Sequence, residues 1–315
     1  MTKVTVAEEW LNACAGCEIA ILNVGDVLVD LLVNNLEFVH IPVILDKKYF
    51  GQTGEEKELS IPEAVVGIVS GGVRNEEHKE VLLEMRKKCQ ILIALGTCAT
   101  DGGIPAMINM YTDEELKKFY YKDSPTTDPA DYPTEHIPPL LDQCYAVDQL
   151  VNVDLYLPGC PPHPDWIAGA VLALLEGKTD YKMPEKSVCD SCPTIRESKK
   201  GLADIKRMLA SPLYDPDKPL SEMRCLLEQG FLCLGPVTGV GCGGQNGAPR
   251  CISARVPCRG CYGPVRKGAK PLVDYMGALA SVGFDPNKMP DRRGYLARFA
   301  GAHGVLKRPV GGRNG

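Results

Sequence analysis

Twelve cysteines fall at spacings that could hold metal, four in the first half of the chain and eight in the second. Cys14 and Cys17 form a C-x-x-C pair (CAGCE), while Cys98 (ALGTCAT) and Cys160 (LYLPGCPP) stand singly. Further on, Cys189 and Cys192 (VCDSCPT) form another pair, followed at a distance by Cys225 and Cys233. Then come Cys242, Cys251, Cys258 and Cys261, the last two again C-x-x-C. Taken in chain order, these eight make two groups of four. Four thiolates can hold a zinc ion or an iron–sulfur cluster. Structural zinc usually takes two close pairs, whereas the first set is one pair and two distant singles. A cubane presents four separated corners and tolerates that spread, which favours iron–sulfur there. For the second half, zinc ribbons stay open as the competing reading. Between Cys225 and Cys261, six cysteines occupy 37 residues rich in Gly and Pro. Glycine lets backbone wrap close to inorganic sulfide and aim N–H groups at it. The spacing is not that of the bacterial ferredoxin run, and the lack of C-x-x-C-H excludes attached haem.

Composition sets the context for those thiols. The chain has 315 residues, 44% hydrophobic and 24% charged, with a formal charge of −5. That suits about two domains with a real core, and the acidic balance argues against nucleic acid. The opening MTKVTVAEEWLNACAGC has neither a signal-peptide core nor a twin-arginine pair, and the apolar stretch Ile19 to Val33 is broken by Asn23, Asp26 and Asp30. A cytoplasmic protein without a membrane span is expected. In reducing cytosol a cysteine-dense chain more often holds metal than disulfides, the internal disulfides of hyperthermophiles being the exception.

The elements that must position the first four cysteines read as alternating strands and helices. Strands are predicted at Lys3–Glu8, Glu37–Leu45, Ala64–Ser70, Ile91–Leu95 and Val153–Leu157. Helices are predicted at Glu18–Asn34, with Ile19, Leu22, Val27 and Leu31 as the inner stripe, at Glu76–Lys87 and near Trp166–Glu176. This rhythm implies an α/β fold with an open parallel sheet and helices on both faces. Ligands gather at the carboxyl ends of such strands. Cys14 and Cys17 follow the first strand, Cys98 the fourth and Cys160 the fifth, so three strand ends deliver four thiols to one edge. The segment Asp101–Asn152 reads as a long loop, Pro- and Asp-rich over Lys122–Leu140, either functional or a solvated excursion. From Lys178 onward the periodicity collapses; Ile195–Leu209 and Leu272–Ser281 remain as short helical candidates, and the region is expected to bury little by itself.

Several other residues carry two readings. Cys89 is expected to be a small core residue and Cys144 a thiol in the long loop. Glu18 could sit on a proton path at a subunit interface or act as a first-turn acid of its helix. His163, in PPHP, could donate to a cluster on Cys160 or serve as a surface or interface histidine. Trp10 and Trp166 read as core or interface aromatics. The basic C-terminal run DRRGYLARFAGAHGVLKRPVGGRNG could meet an acidic partner or fray.

CAGCE, GTC after a buried strand, PGCPP before a helix and the cysteine-rich second half together resemble the small subunit of [NiFe]-hydrogenases. The likeness spans nearly the whole chain and is greatest to the cytoplasmic F420-non-reducing (viologen-reducing) type of methanogenic archaea. It implies a flavodoxin-like domain over residues 1–177, followed by an irregular cysteine-rich iron–sulfur domain over 178–315. It also implies three [4Fe-4S] clusters: a proximal one on Cys14, Cys17, Cys98 and Cys160, an outermost one on Cys189, Cys192, Cys225 and Cys233, and a middle one on Cys242, Cys251, Cys258 and Cys261. The implied partners are a large nickel–iron subunit carrying the catalytic site, a small [2Fe-2S] subunit and heterodisulfide reductase. Exported members commonly place His where Cys189 stands and often have only three cysteines in the middle group, where Cys251 here offers a fourth. The F420-reducing hydrogenase small subunit and the complex I cluster subunit, the latter typically with adjacent cysteines, are the related alternatives. A zinc-stabilised interaction scaffold is the unrelated one.

Overall fold

The computed structural model describes residues 3–42, 44–197, 205–206, 210–289 and 291–309. Its centre is a five-stranded sheet made of β1 (Val4–Trp10), β2 (Leu36–His40), β3 (Ala64–Ser70), β5 (Cys89–Leu95) and β7 (Leu155–Leu157). Every pairing is parallel, in the order β2-β1-β3-β5-β7. Counting only the sheet's own strands, this is the doubly wound 2-1-3-4-5 order of flavodoxin-like folds, as the sequence implied. Between β1 and β2 lie α1 (Gly16–Leu22) and α2 (Asp26–Asn34). β4 (Val73–Asn75) and α3 (Glu76–Lys88) precede β5, and α4 (Gly96–Asp101) follows it. Alternation along β5 sends Leu92 and Ala94 into one core with Val81, Leu82 and Met85 of α3. Ile93 and Leu95 enter the opposite core with Ala20, Ile21 and Leu31. Burial on both faces explains why these strands read as continuous apolar runs.

Three sequence expectations are corrected. The predicted helix Glu18–Asn34 is two helices, because Gly25 takes φ +73° and breaks the run. Of the expected stripe Leu31 is buried, whereas Ile19, Leu22 and Val27 are exposed; in α1 it is Ala20 and Ile21 that face the core. The segment 101–152 is not one loop. It carries α5 (Asp113–Tyr121), closed by a capping box between Thr112 and Glu115, and β6 (Leu140–Tyr145), antiparallel to β4; its longest stretch without helix or strand is the Pro- and Asp-rich 122–139. β2 stops at His40, ahead of Pro42, and does not run on to Leu45.

After β7, α6 (Pro164–Leu175) completes the first half of the chain. The second half contains α7 (Arg250–Ser253), α8 (Pro271–Ser281) and α9 (Arg292–Ala297). Contrary to expectation it has a hydrophobic core of its own, built around Leu226, Leu227, Phe231, Leu234, Tyr275 and Leu279. Most of these residues come from irregular backbone, which has no period to display their burial. α8 matches the helix predicted at Leu272–Ser281. The candidate Ile195–Leu209 lies largely outside the described residues; Ile195 makes a parallel bridge to Arg224 instead of opening a helix. Among the described residues no helix is long and apolar enough to cross a membrane.

Candidate metal centre

The strand ends bring the first four cysteines together. Cys14 lies in the turn from β1 into α1, Cys17 in the first turn of α1, Cys98 in α4 directly after β5, and Cys160 in the turn from β7 to α6. Burial, then Glu18, then the thiols of Cys98, Cys160 and Cys14 push the Cys17 thiol far up. Cys98 is pushed up to about 12 by burial and then by Cys160 and Cys14. Positive charge placed among thiols that raise one another in this way would favour their thiolate forms. Small residues clear their space: a Cβ on Gly96 would stand 2.3 Å from Cys17 Sγ, and one on Gly103 2.7 Å from Cys98 Sγ.

The eight later cysteines lie close together, with Cys233 in reach of both Cys189 and Cys258. Burial and then Cys225 and Cys192 raise Cys189 to about 12, and a Cβ on Gly235 would lie 3.2 Å from Cys189 Sγ and 3.6 Å from Cys233 Sγ. Cys261 is raised by burial and then by Cys258, Cys242 and Cys251. Cys251 is therefore among the members of its set, and it stands in α7. Backbone N–H groups point at these sulfurs: Gly235 and Cys258 at Cys233, Gly260 at Cys258 and Arg250 at Cys242. Two of those donors are glycines, the use expected from the glycine-rich sequence.

The sets stand in series. Cys160 is among the groups that raise Cys261, which joins the first to the 242–261 set. Cys258 N donates to Cys233 Sγ at 3.3 Å, which joins that set to the 189–233 one. Cys14 and Cys189 are exposed, whereas Cys233 and Cys258, where the two later sets meet, are buried. Among the described residues no three Cys, His, Asp or Glu side chains converge on a single ion. The first four thiols, and those of Cys242, Cys251, Cys258 and Cys261, lie in mutual electrostatic reach, a donor set of the kind that holds iron–sulfur clusters.

The remaining candidates resolve differently. Cys89 is core, and Cys144 is a fully buried β6 residue rather than a loop thiol, its backbone clasped by Asn109 through bonds of 2.8 and 2.9 Å. His163 caps α6, its Nδ1 accepting from Asp165 N at 3.2 Å, and Trp166 is buried with Nε1 donating to Gly241 O at 2.9 Å. Trp10 is 41% exposed. Glu18 stands in the first turn of α1, yet it is buried and accepts a bond from Ser70 Oγ.

Sequence reasoning missed a buried acidic group behind the first set. On β1, Glu9 Oε1 bonds His40 Nε2 at 2.5 Å and accepts from the Tyr49 hydroxyl at 2.8 Å. Its neighbour Glu8 is fully buried against Glu18. Two adjacent charges inside an otherwise apolar strand were the available signal. Burial first, then Glu18 and Glu9, push Glu8 up to about 9. A carboxyl raised in the folded state stabilises fully below its ordinary pKa and loses that contribution as pH rises towards 9. Near pH 7.5, roughly three units above the ordinary value, the cost is on the order of 4 kcal/mol. Glu8→Gln, neutral and of the same shape, is therefore expected to raise the thermal midpoint of the holoprotein and flatten its pH dependence between about 4.5 and 9. Midpoints at one scan rate across that range check this; an unchanged slope would mean that Glu8 is already ionised in the fold.

A family model described as NADH ubiquinone oxidoreductase, 20 Kd subunit, matches residues 14–174. A vhu-type F420-non-reducing hydrogenase subunit of Methanocaldococcus jannaschii is 38% identical over 299 residues, covering 95% of both chains. The chain belongs to the [NiFe]-hydrogenase small-subunit family. An NAD+-reducing [NiFe]-hydrogenase structure shares 29% identity at a TM-score of 0.51, over 58% of this chain and 97% of that one. The [NiFeSe] hydrogenase of Desulfovibrio vulgaris Hildenborough, at 19% identity and a TM-score of 0.53, covers 85% of this chain and 96% of its own, and shows likeness of fold. As a hydrogenase small subunit, the chain is a component of an oxidoreductase whose catalytic site lies in another chain.

Proposed function

We propose that this chain is the electron-transfer subunit of a cytoplasmic F420-non-reducing hydrogenase. In this reading Cys14, Cys17, Cys98 and Cys160 hold a proximal [4Fe-4S] cluster. Cys242, Cys251, Cys258 and Cys261 hold a middle one, and Cys189, Cys192, Cys225 and Cys233 a distal one. Residues 1–177 and 178–315 form its two domains. A large nickel–iron subunit, a small [2Fe-2S] subunit and heterodisulfide reductase are its partners. The observation that supports the reading is the run of neighbouring thiols from the strand-end cysteines through Cys261 and Cys258 to Cys233.

Clusters bound there would supply reversible one-electron chemistry. The chain's part is to space the thiols, aim amide N–H groups at them and keep water out. The N–H groups of Gly235, Cys258, Gly260 and Arg250 favour the anionic sulfur, and the core around Phe231 and Tyr275 walls off the inner junction. On the two helices that follow Cys14, the exposed apolar residues Ile19, Leu22, Val27, Val29 and Val33 offer apolar area suited to burial against the large subunit. Cys189, exposed within the proposed distal set, suits transfer to the acceptor subunit.

Anaerobic purification of the native complex tests this directly. Iron and acid-labile sulfide should reach about twelve of each per chain, with the nickel–iron and [2Fe-2S] chains co-purifying. Zinc without sulfide would overturn the reading.

A further inference from the structure

Three of the cysteine-bearing turns meet at one side chain that ligates nothing. Thr97 lies between Gly96 and Cys98 and is 1% exposed. Its Oγ1 donates to the carbonyl of Cys261 at 2.7 Å and accepts from the N–H of Gly159, next to Cys160, at 2.8 Å. Its own N–H donates to the Gly159 carbonyl at 2.9 Å. A hydroxyl has one proton and two lone pairs. Here the proton faces the 242–261 set and a lone pair faces the first set, so one oxygen ties both together. A second tie runs in parallel: the backbone N–H of His163, three residues after Cys160, donates to the hydroxyl of buried Tyr262, next to Cys261, at 2.6 Å.

We propose that Thr97 is a positioning residue whose hydroxyl fixes the spacing and orientation of the first cysteine set relative to the 242–261 set. Simple loop satisfaction does not require this arrangement, because each turn could bond within itself. Instead, both bonds of the hydroxyl run between turns 62 and 164 residues away in sequence. Val has the shape of Thr without the hydroxyl. It would strand a buried N–H and a buried carbonyl, and the two turns would move to find other partners. Ser keeps the hydroxyl and loses only the methyl.

The inference rests on the proposed cluster ligands, and its test separates the two. Thr97→Val and Thr97→Ser are made in the assembled enzyme and purified anaerobically, then analysed for iron, for the low-temperature EPR line shape of the reduced centres and for hydrogen-dependent dye reduction. Wild-type enzyme without iron and sulfide would sink the ligand assignment. With wild-type iron present, Val should keep that iron, lose the wild-type magnetic interaction between the first two centres and reduce dye more slowly, while Ser matches wild type. Val indistinguishable from wild type in line shape and rate overturns the inference. Should Val fail to load iron, Ser decides: full iron and wild-type line shape support the hydroxyl's role, and loss in Ser as well overturns it.

Discussion

Cys98→Ala is expected to abolish hydrogen-dependent dye reduction while leaving the polypeptide folded. Cys98 sits inside α4, where Ala is a good helix former, and its side chain is small and half-buried. Removing one sulfur there costs on the order of 1 kcal/mol of packing. The chemical loss is far larger. Cys14, Cys17 and Cys160 leave one corner of a cubane without a protein thiolate, and this set adjoins the face proposed to meet the nickel–iron subunit. The purified variant should therefore lack between about one and four irons per chain and show no dye reduction with hydrogen. Cys89→Ala is the matched control. Cys89 is buried at the start of β5, away from every set, and its loss should lower stability with iron and activity intact. Full iron and full activity in Cys98→Ala would remove Cys98 from the ligand set.

The sequence made the cysteine sets readable because spacing survives translation into space. Strand ends in a parallel sheet all open to one edge, so Cys14, Cys17, Cys98 and Cys160 could be placed together before any coordinates. β3 was readable to the residue, since a strand buried on both faces is a continuous apolar run. Of the α1–α2 stripe Leu31 was read correctly, but within α1 the inward face was set one residue off, Ala20 and Ile21 turning inward. Gly25, whose positive φ precedes α2, restarts the phase there. β4 spans three residues and offers too little length for any period. α5 could have been found from Thr112 and Glu115, the capping box inside what looked like loop. The second core escaped because Leu226, Phe231, Tyr275 and Leu279 converge from segments with no shared rhythm. Thr97 and Glu8 are legible only in part: a polar residue in a buried turn invites a question, but its partners lie tens of residues away.

The second large effect is expected at a residue with no side chain. Gly96 takes φ +84°, and a Cβ there would fall 2.3 Å from Cys17 Sγ. Gly96→Ala meets two separate costs. An L-residue in the left-handed region costs roughly 1–2 kcal/mol, and forcing a methyl into a packed site costs typically about 1–3 kcal/mol more. The second cost is the informative one. A flexible side chain would swing aside, but Cys17 is held in the first turns of α1 and, on the proposed assignment, by metal. It can yield only by leaving its set. Gly54 has nearly the same backbone, φ +80°, with nothing within 4 Å of an added methyl, so Gly54→Ala isolates the backbone cost. Gly96→Ala should consequently lose iron and hydrogen-dependent dye reduction, whereas Gly54→Ala should lose a little stability and neither of the others. If both variants retain full iron with similar stability, Cys17 is free to move, and the close approach of α4 to the Cys17 sulfur plays no part in holding it.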